Sequence, residues 1–435
     1  MFKREEVQLN HLKQEYENTP VSLDSLDKAI ITGFNRAKAE EKKLYRKKNG
    51  FSSLLVVALL IIGLFSTIRV SPAFASYISS IPGMEKIVEM IRDDKGRVAA
   101  VEHQYYQDIG VYDKNDSLQV TIDGAISDEM GIVLFYTLES DKKIKEIMMD
   151  EVEIKAHNGT PLDGKTISYG QPYHSDDRKN SFNGTIEFFF QAPLTTKEYV
   201  VDIKVKGKQF SLPFTLNDYK AKKEYPVHQT LELESEKINV EKVTIYPLRA
   251  VVHLEMDPNN KKQILQLDDL RLVDENNEVW GKILNGITKS GDIDSEQEIY
   301  LQSNYFKEPK ELYLVLNKAQ AIEKDETTII VDTEKLEILK QPVGSNLDNV
   351  RKEHGELSFD LHTEKEFNYF IFSEVIDAQG NEISKTSMSA YYDYDNGVNR
   401  IGMKLPVLKP AQNPITIELA FYPQWIKGED KIKVK

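Results

Sequence analysis

The side chains that could do chemistry are scattered along this chain. Its eight histidines stand at His11, His103, His157, His174, His228, His253, His354 and His362. No pair has the i, i+4 spacing that would put two imidazoles on one helical face, and no HExxH occurs. Cysteine is absent, which removes thiolate zinc sites, iron–sulfur clusters, disulfide frameworks and thiol catalysis. No G-x-S-x-G elbow is present and no nucleotide-binding loop is expected. Asp393-Tyr-Asp395-Asn-Gly397 approaches a calcium loop, but its glycine comes one place early and Lys404 stands where a bidentate glutamate belongs. Asp292, Asp294 and Glu296 lack the glycine and the closing acid, and His174-Ser-Asp-Asp177 reads as a solvated acidic turn. Weak calcium binding stays open. A Ser/Lys dyad or a pair of hydrolytic carboxylates has no sequence signature that would assign it. No catalytic residue, metal ligand or cofactor is therefore named.

The elements that would carry a function are better marked. The chain has 435 residues, 40% hydrophobic and 29% charged, with a formal net charge of −14. That length suggests two to four units, and the acidity disfavours nucleic acid as a partner. The charge is unevenly divided. Residues 1–48 hold 11 basic and 8 acidic side chains, so the remainder carries −17. Between the two lies an uncharged run, Asn49 to Ile68, with the core FSSLLVVALLIIGLFSTI. Twenty residues at about 1.5 Å each span the roughly 30 Å of a bilayer's hydrocarbon core. Lys42, Lys43, Arg46, Lys47 and Lys48 crowd its N-terminal flank without an acid among them. By the positive-inside rule residues 1–48 stay cytoplasmic and residues 70–435 are exported. Ala73-Phe74-Ala75 has the form of a signal-peptidase site, but a basic region of this length favours an uncleaved signal anchor.

Residues 1–48 are too short for a core of their own. Leu23, Leu26, Ile30 and Phe34 recur at steps of 3, 4 and 4, the apolar stripe of an amphipathic helix. With nothing of its own to pack on, the stripe either binds a cytoplasmic partner as a helix in a groove or lies on lipid headgroups. After the apolar run, a first juxtamembrane helix opening at Pro82 would bury Met84, Ile87, Val88 and Ile91. A second is expected from Arg97 to Tyr106.

From about Ser117 the period becomes alternating and β-branched and aromatic residues dominate. A strand–turn–strand unit recurs as VEIKAHNGTPL (152–162), LRLVDENNEVW (270–280) and EVIDAQGNEI (374–383). Each turn holds residues that accept positive φ. Apolar strands precede the copies at 131–138, 250–256 and 367–372, and short closing strands follow at 210–216, 327–333 and 431–435. The pattern predicts a mainly β chain with tandem immunoglobulin-like sandwiches. The expected division is a cytoplasmic helical segment (1–48), a transmembrane helix (49–68), a helical link (69–106), and β domains at 107–219, 225–341 and 346–435.

The apolar run followed by RVSPAFASYISSIPGMEKIVEMIRDDKG, and then DGAISDEMGIVLFYTLES, resembles a family of single-pass Gram-positive membrane proteins. Their exported domain is of unknown function, and they are commonly encoded beside extracytoplasmic-function sigma factors and described as anti-sigma-factor-like. LDSLDKAIITGFNRAK is similar to that family's short N-terminal helix. Residues 225–435 resemble the immunoglobulin-like extension of some members. The resemblance implies a non-enzymatic membrane regulator that holds a sigma factor through residues 20–45, with Leu23, Leu26, Ile30 and Phe34 as the binding face. The lipid bilayer is a second partner, and cell-wall polymers are candidates outside. A surface structural or adhesion protein is the alternative reading, and an exported enzyme the third.

Overall fold

The computed structural model describes residues 83–162, 164–170, 173–283, 289–291, 296–344, 346–363, 367, 369–394 and 397–435. The apolar run, the basic flank and the N-terminal stripe lie outside the described residues. Among those described, no helix is long and apolar enough to cross a membrane. The described residues all fall in one compact unit.

Two short helices open it. Helix α1 (Met84–Ile91) begins after Gly83, whose φ of 83° only glycine adopts freely, and buries Met84, Ile87 and Ile91. Helix α2 (Lys95–Glu102) is capped by the Asp94 carboxylate, which accepts from the Arg97 N–H. It ends earlier than expected. Gln104 takes a left-handed φ of 56°, and the His103 and Tyr105 N–H groups close onto the Ala99 and Ala100 carbonyls.

The first β domain contains β1 (Gln107–Asn115), β2 (Leu118–Asp128), β3 (Gly131–Ile147), β4 (Met149–Ala156), β5 (Lys165–Tyr169), β6 (Tyr173–Phe190), β7 (Glu198–Val205) and β8 (Lys208–Thr215). One sheet runs β1-β2-β3-β6-β5 and the other β4-β7-β8. Ile132, Leu134, Ile186 and Phe188 of the first meet Ile154, Val201, Ile203 and Leu212 of the second in one core. Alternation then explains the other face. Val133, Phe135, Glu187 and Phe189 point away from that core yet are also buried. The run GIVLFY in β3 is continuous because both of its faces are covered.

The second domain is built from β9 (Lys223–Leu233), β10 (Glu236–Ile245), β11 (Arg249–Met256), β12 (Lys262–Leu267), β13 (Arg271–Asp274), β14 (Val279–Trp280), β15 (Lys289–Gly291), β16 (Glu296–Gln302) and β17 (Leu312–Glu323). The third holds β18 (Thr328–Asp332), β19 (Glu337–Lys340), β20 (Leu347–Glu353), β21 (Glu356–Leu361), β22 (Phe372–Ile376), β23 (Ser387–Asp393), β24 (Val398–Lys404) and β25 (Ile415–Leu419). The last strand, β26 (Trp425–Lys433), does not close the third domain. It pairs with β17 and puts Ile426, Ile432 and Val434 into the second domain's core. β18, expected to close the second domain, pairs instead with β25 in the third. The third domain is thus inserted into the second, and the expected limits of 225–341 and 346–435 are corrected accordingly. Which strand a strand pairs with is decided by non-local packing, and no local pattern encodes it.

The threefold turn is present. Ile154, Leu272 and Val375 are each fully buried, and five residues on, Gly159, Asn277 and Gly380 have φ of 85°, 62° and 83°. Asp274 and Asp377 repeat one further device. Each carboxylate accepts from backbone N–H groups two and four residues later. Among the described residues of the expected strand at 367–372, only Phe372 lies in a strand. The Phe367 N–H is taken by the Asn399 side chain and that of Tyr369 by the Phe367 carbonyl, which turns the backbone away from a ladder.

Candidate functional site

Helix α2 is held between the first and second domains by polar and steric contacts to both. Arg97 is 6% exposed; its Nη1 donates to Glu187 Oε1 at 2.6 Å and its Nε lies 3.2 Å from Asp94 Oδ2. Burial works against the Arg97 cation, but Glu187 and Asp94 overcome it and raise the pKa. Burial raises the Asp94 pKa against the pull of Arg97. On the second-domain side, Gln302 Nε2 donates to the Asp93 carbonyl at 2.9 Å and Lys95 Nζ to the Val279 carbonyl at 3.0 Å. Gly96 sits so close that a Cβ there would fall 2.6 Å from the Ser303 nitrogen. Beyond the helix, His103 stacks on Phe306 at 5.4 Å, and the Tyr105 hydroxyl donates to the Ser127 carbonyl at 2.7 Å.

The two domains also meet directly. Asp128 accepts from the Met130 N–H at 2.9 Å and, across the boundary, from the Leu248 N–H at 3.0 Å. Burial pushes its carboxyl up to about 6, although Arg249 and both amides oppose the shift. The Arg249 guanidinium lies between the Phe189 and Tyr300 rings, 4.0 and 4.1 Å from their centroids. Its Nη1 is buried without a hydrogen-bond partner among the described residues, and burial lowers its pKa. Beside it lies a cleft of about 600 Å³ whose walls include Met130, Phe189, His253 and Tyr300. The arrangement is suited to transmitting displacement. A charged helix locked to two domains cannot move without them, because separating Arg97 from Glu187 would strand a buried charge.

The residues singled out by sequence, Leu23, Leu26, Ile30, Phe34, Lys42, Lys43, Arg46, Lys47 and Lys48, lie outside the described residues. Among the described residues no group of three metal-ligating side chains is gathered. Asp393 lies 3.3 Å from Arg400 Nη2, so a cation already faces the most loop-like of the acidic candidates. Residues 159–166, GTPLDGKT, do match the G-x4-G-K-T spacing of a phosphate loop. The context differs: Lys165 opens strand β5 rather than a helix, and its ammonium pairs with Glu153. Tyr391 and Tyr394 are 51% and 79% exposed, on and just after edge strand β23. Sequence reading missed Arg97 and Glu187. The available signal was an acid inside the apolar run TIEFFF, on the face away from the sandwich core.

Two family models match the chain. Residues 46–140 match a domain of unknown function (DUF4179) and residues 222–339 a family of unknown function (DUF5643). The first spans the apolar run, both helices and β1 to most of β3; the second runs from just before β9 to β19. No curated protein matches. A solved structure described as the conserved domain protein from Bacillus anthracis is similar, with 16% identity and a TM-score of 0.39. The match covers 54% of this chain and 84% of that one.

Proposed function

We propose that this chain is a membrane-anchored, non-enzymatic regulator of the anti-sigma-factor-like kind. Its exported arm of immunoglobulin-like domains governs a short cytoplasmic helix. The observation that carries the reading is the position of α2. The segment that follows the apolar run is locked into the boundary between two β domains by Arg97, Glu187, Gly96 and Ser303. A change in how those domains meet would be passed to the membrane segment as tension or rotation. The DUF4179 match over residues 46–140 supports the reading, as does the resemblance of LDSLDKAIITGFNRAK to the N-terminal helix of anti-sigma-factor-like proteins. Residues 20–45 would hold an extracytoplasmic-function sigma factor through Leu23, Leu26, Ile30 and Phe34, four apolar side chains along one helical face.

Affinity purification of the full chain from its own cells tests this. Recovery of a sigma subunit with the wild type, and its loss in Leu26→Ser/Phe34→Ser, is the expected result. Recovery of no sigma or RNA polymerase subunit by the wild type would sink the reading. A surface structural or adhesion protein, whose N-terminal segment serves only to insert the chain, would then take its place.

A further inference from the structure

The turn between β2 and β3 meets the second domain through one carboxylate. Asp128 is 1% exposed; its Oδ1 accepts from the Met130 N–H of its own turn, and its Oδ2 from the Leu248 N–H across the boundary. The groups that face it do little to hold it ionised. Arg249 of β11 attracts it, but that guanidinium lies between the Phe189 and Tyr300 rings rather than against the carboxylate. Glu129, its neighbour in the turn, repels it and is itself paired with Lys222 of the linker at 3.5 Å. Three phenols also feel its charge: Tyr105 after α2, Tyr219 in the linker and Tyr246 in the turn between β10 and β11. Burial holds each above its ordinary range, so none becomes charged near neutral pH. Arg97, Glu187 and Asp94 of the same boundary pair with one another. A carboxylate that exchanges its hydration for two amide donors binds a proton more tightly with the boundary closed than with it open.

We propose that the boundary between the first and second β domains is a proton-operated latch, closed by protonation of Asp128 and loosened when that proton leaves. The proton passes between solvent and the carboxyl when the boundary opens briefly, and no other covalent bond changes. Burial sets the direction. The closed boundary holds the carboxyl up at about 6, against an ordinary 3.8. The latch is therefore at full strength below pH 3.8 and loses it as pH rises through 6. Between pH 5 and pH 8 the ratio of open to closed should rise about tenfold. His253, on the wall of the neighbouring cleft, acts in the opposite sense, because burial lowers its pKa and acid charges it at a cost. Its partners Thr244 and Glu298 both lie within the second domain, so its titration does not cross the boundary. As an input to the membrane segment, the latch rests on the reading proposed above.

The test uses a single reporter thiol in the full chain in detergent, since no native cysteine competes. Ser303→Cys is isosteric, and Ser303 is 1% exposed against Gly96 of α2. Its rate of reaction with a disulfide reagent, divided by the rate for the same chain in urea at the same pH, reads the open fraction. That ratio should rise about tenfold from pH 5 to pH 8. The rise should vanish in Asp128→Asn and persist in His253→Gln. Arg249→Met, which removes the attraction on the carboxylate, should move the midpoint to higher pH. Val201→Cys, in the first domain's core, should react far more slowly, because the boundary opens without unfolding. A ratio that is independent of pH, or that rises on acidification, would overturn the latch. So would a rise that survives in an Asp128→Asn chain melting like the wild type, a midpoint unmoved in Arg249→Met, or equal rates at Ser303→Cys and Val201→Cys. The thiol reports the boundary itself, so loss of sigma capture leaves the latch standing, and a ratio independent of pH leaves sigma capture standing.

Discussion

Replacing Arg97 by methionine would leave the Glu187 carboxylate, 4% exposed, with no counter-charge at 2.6 Å. Losing one partner of a buried pair costs about 3–5 kcal/mol. Denaturant melts of Arg97→Met should show a loss of that order, and Arg97→Met/Glu187→Met should recover much of it. Two aspartates give opposite responses to pH. Burial holds the Asp128 carboxyl up at about 6 in the folded protein, above its ordinary 3.8. Its contribution to stability is therefore fully present below pH 3.8 and is lost as pH rises through 6. Asp360 is held down to about 2, chiefly by Arg351, with Asn349 and Arg400 adding to it. Its contribution is present above pH 3.8 and disappears as pH falls toward 2. Asp128→Asn should remove the first slope from a melting-temperature profile, and Asp360→Asn the second. Little of this was legible in the sequence, where an arginine in IRDDKGRVAA reads as a solvated helical face. Its burial comes from a domain 90 residues away along the chain.

At the scale of elements, what a short window contains was readable and what it pairs with was not. The turns around Gly159, Asn277 and Gly380 follow from residues that tolerate positive φ, and the strands flanking them follow from alternation. The destination of β26 depends on β17, whose residues lie far earlier in the chain, Gln320 pairing with Trp425 and Tyr313 with Lys433. A chain stopped after Gln424 makes the point testable. It would strip Ile426, Ile432 and Val434 from the second domain's core, each worth about 1.5–3 kcal/mol when buried. Hydrogen exchange should then rise in β17 and β9 while the β20-β21-β24-β23 sheet keeps its protection. Faster exchange confined to the third domain would contradict the inserted arrangement. Gly96 is the corresponding point on α2. A side chain there collides with the Ser303 backbone, and Gly96→Val should speed proteolysis between the helices and β1 without changing the sheets.

For the whole molecule the account is one of direction and linkage. On the proposed reading, the imbalance of +3 over residues 1–48 and −17 over the rest would put the N-terminal segment inside and the β domains outside. Because the chain has no native thiol, Ser235→Cys should react with an impermeant maleimide on intact cells and Ser22→Cys should not. We propose that the boundary between the first and second β domains governs capture of a sigma factor by the N-terminal segment. The most direct test is the amount of sigma subunit that co-purifies with the full chain, compared between wild type and Gly96→Val at equal membrane levels. A severalfold change on Gly96→Val, with loss in Leu26→Ser/Phe34→Ser, is the predicted result. Capture abolished by the cytoplasmic pair but untouched by Gly96→Val would contradict the coupling.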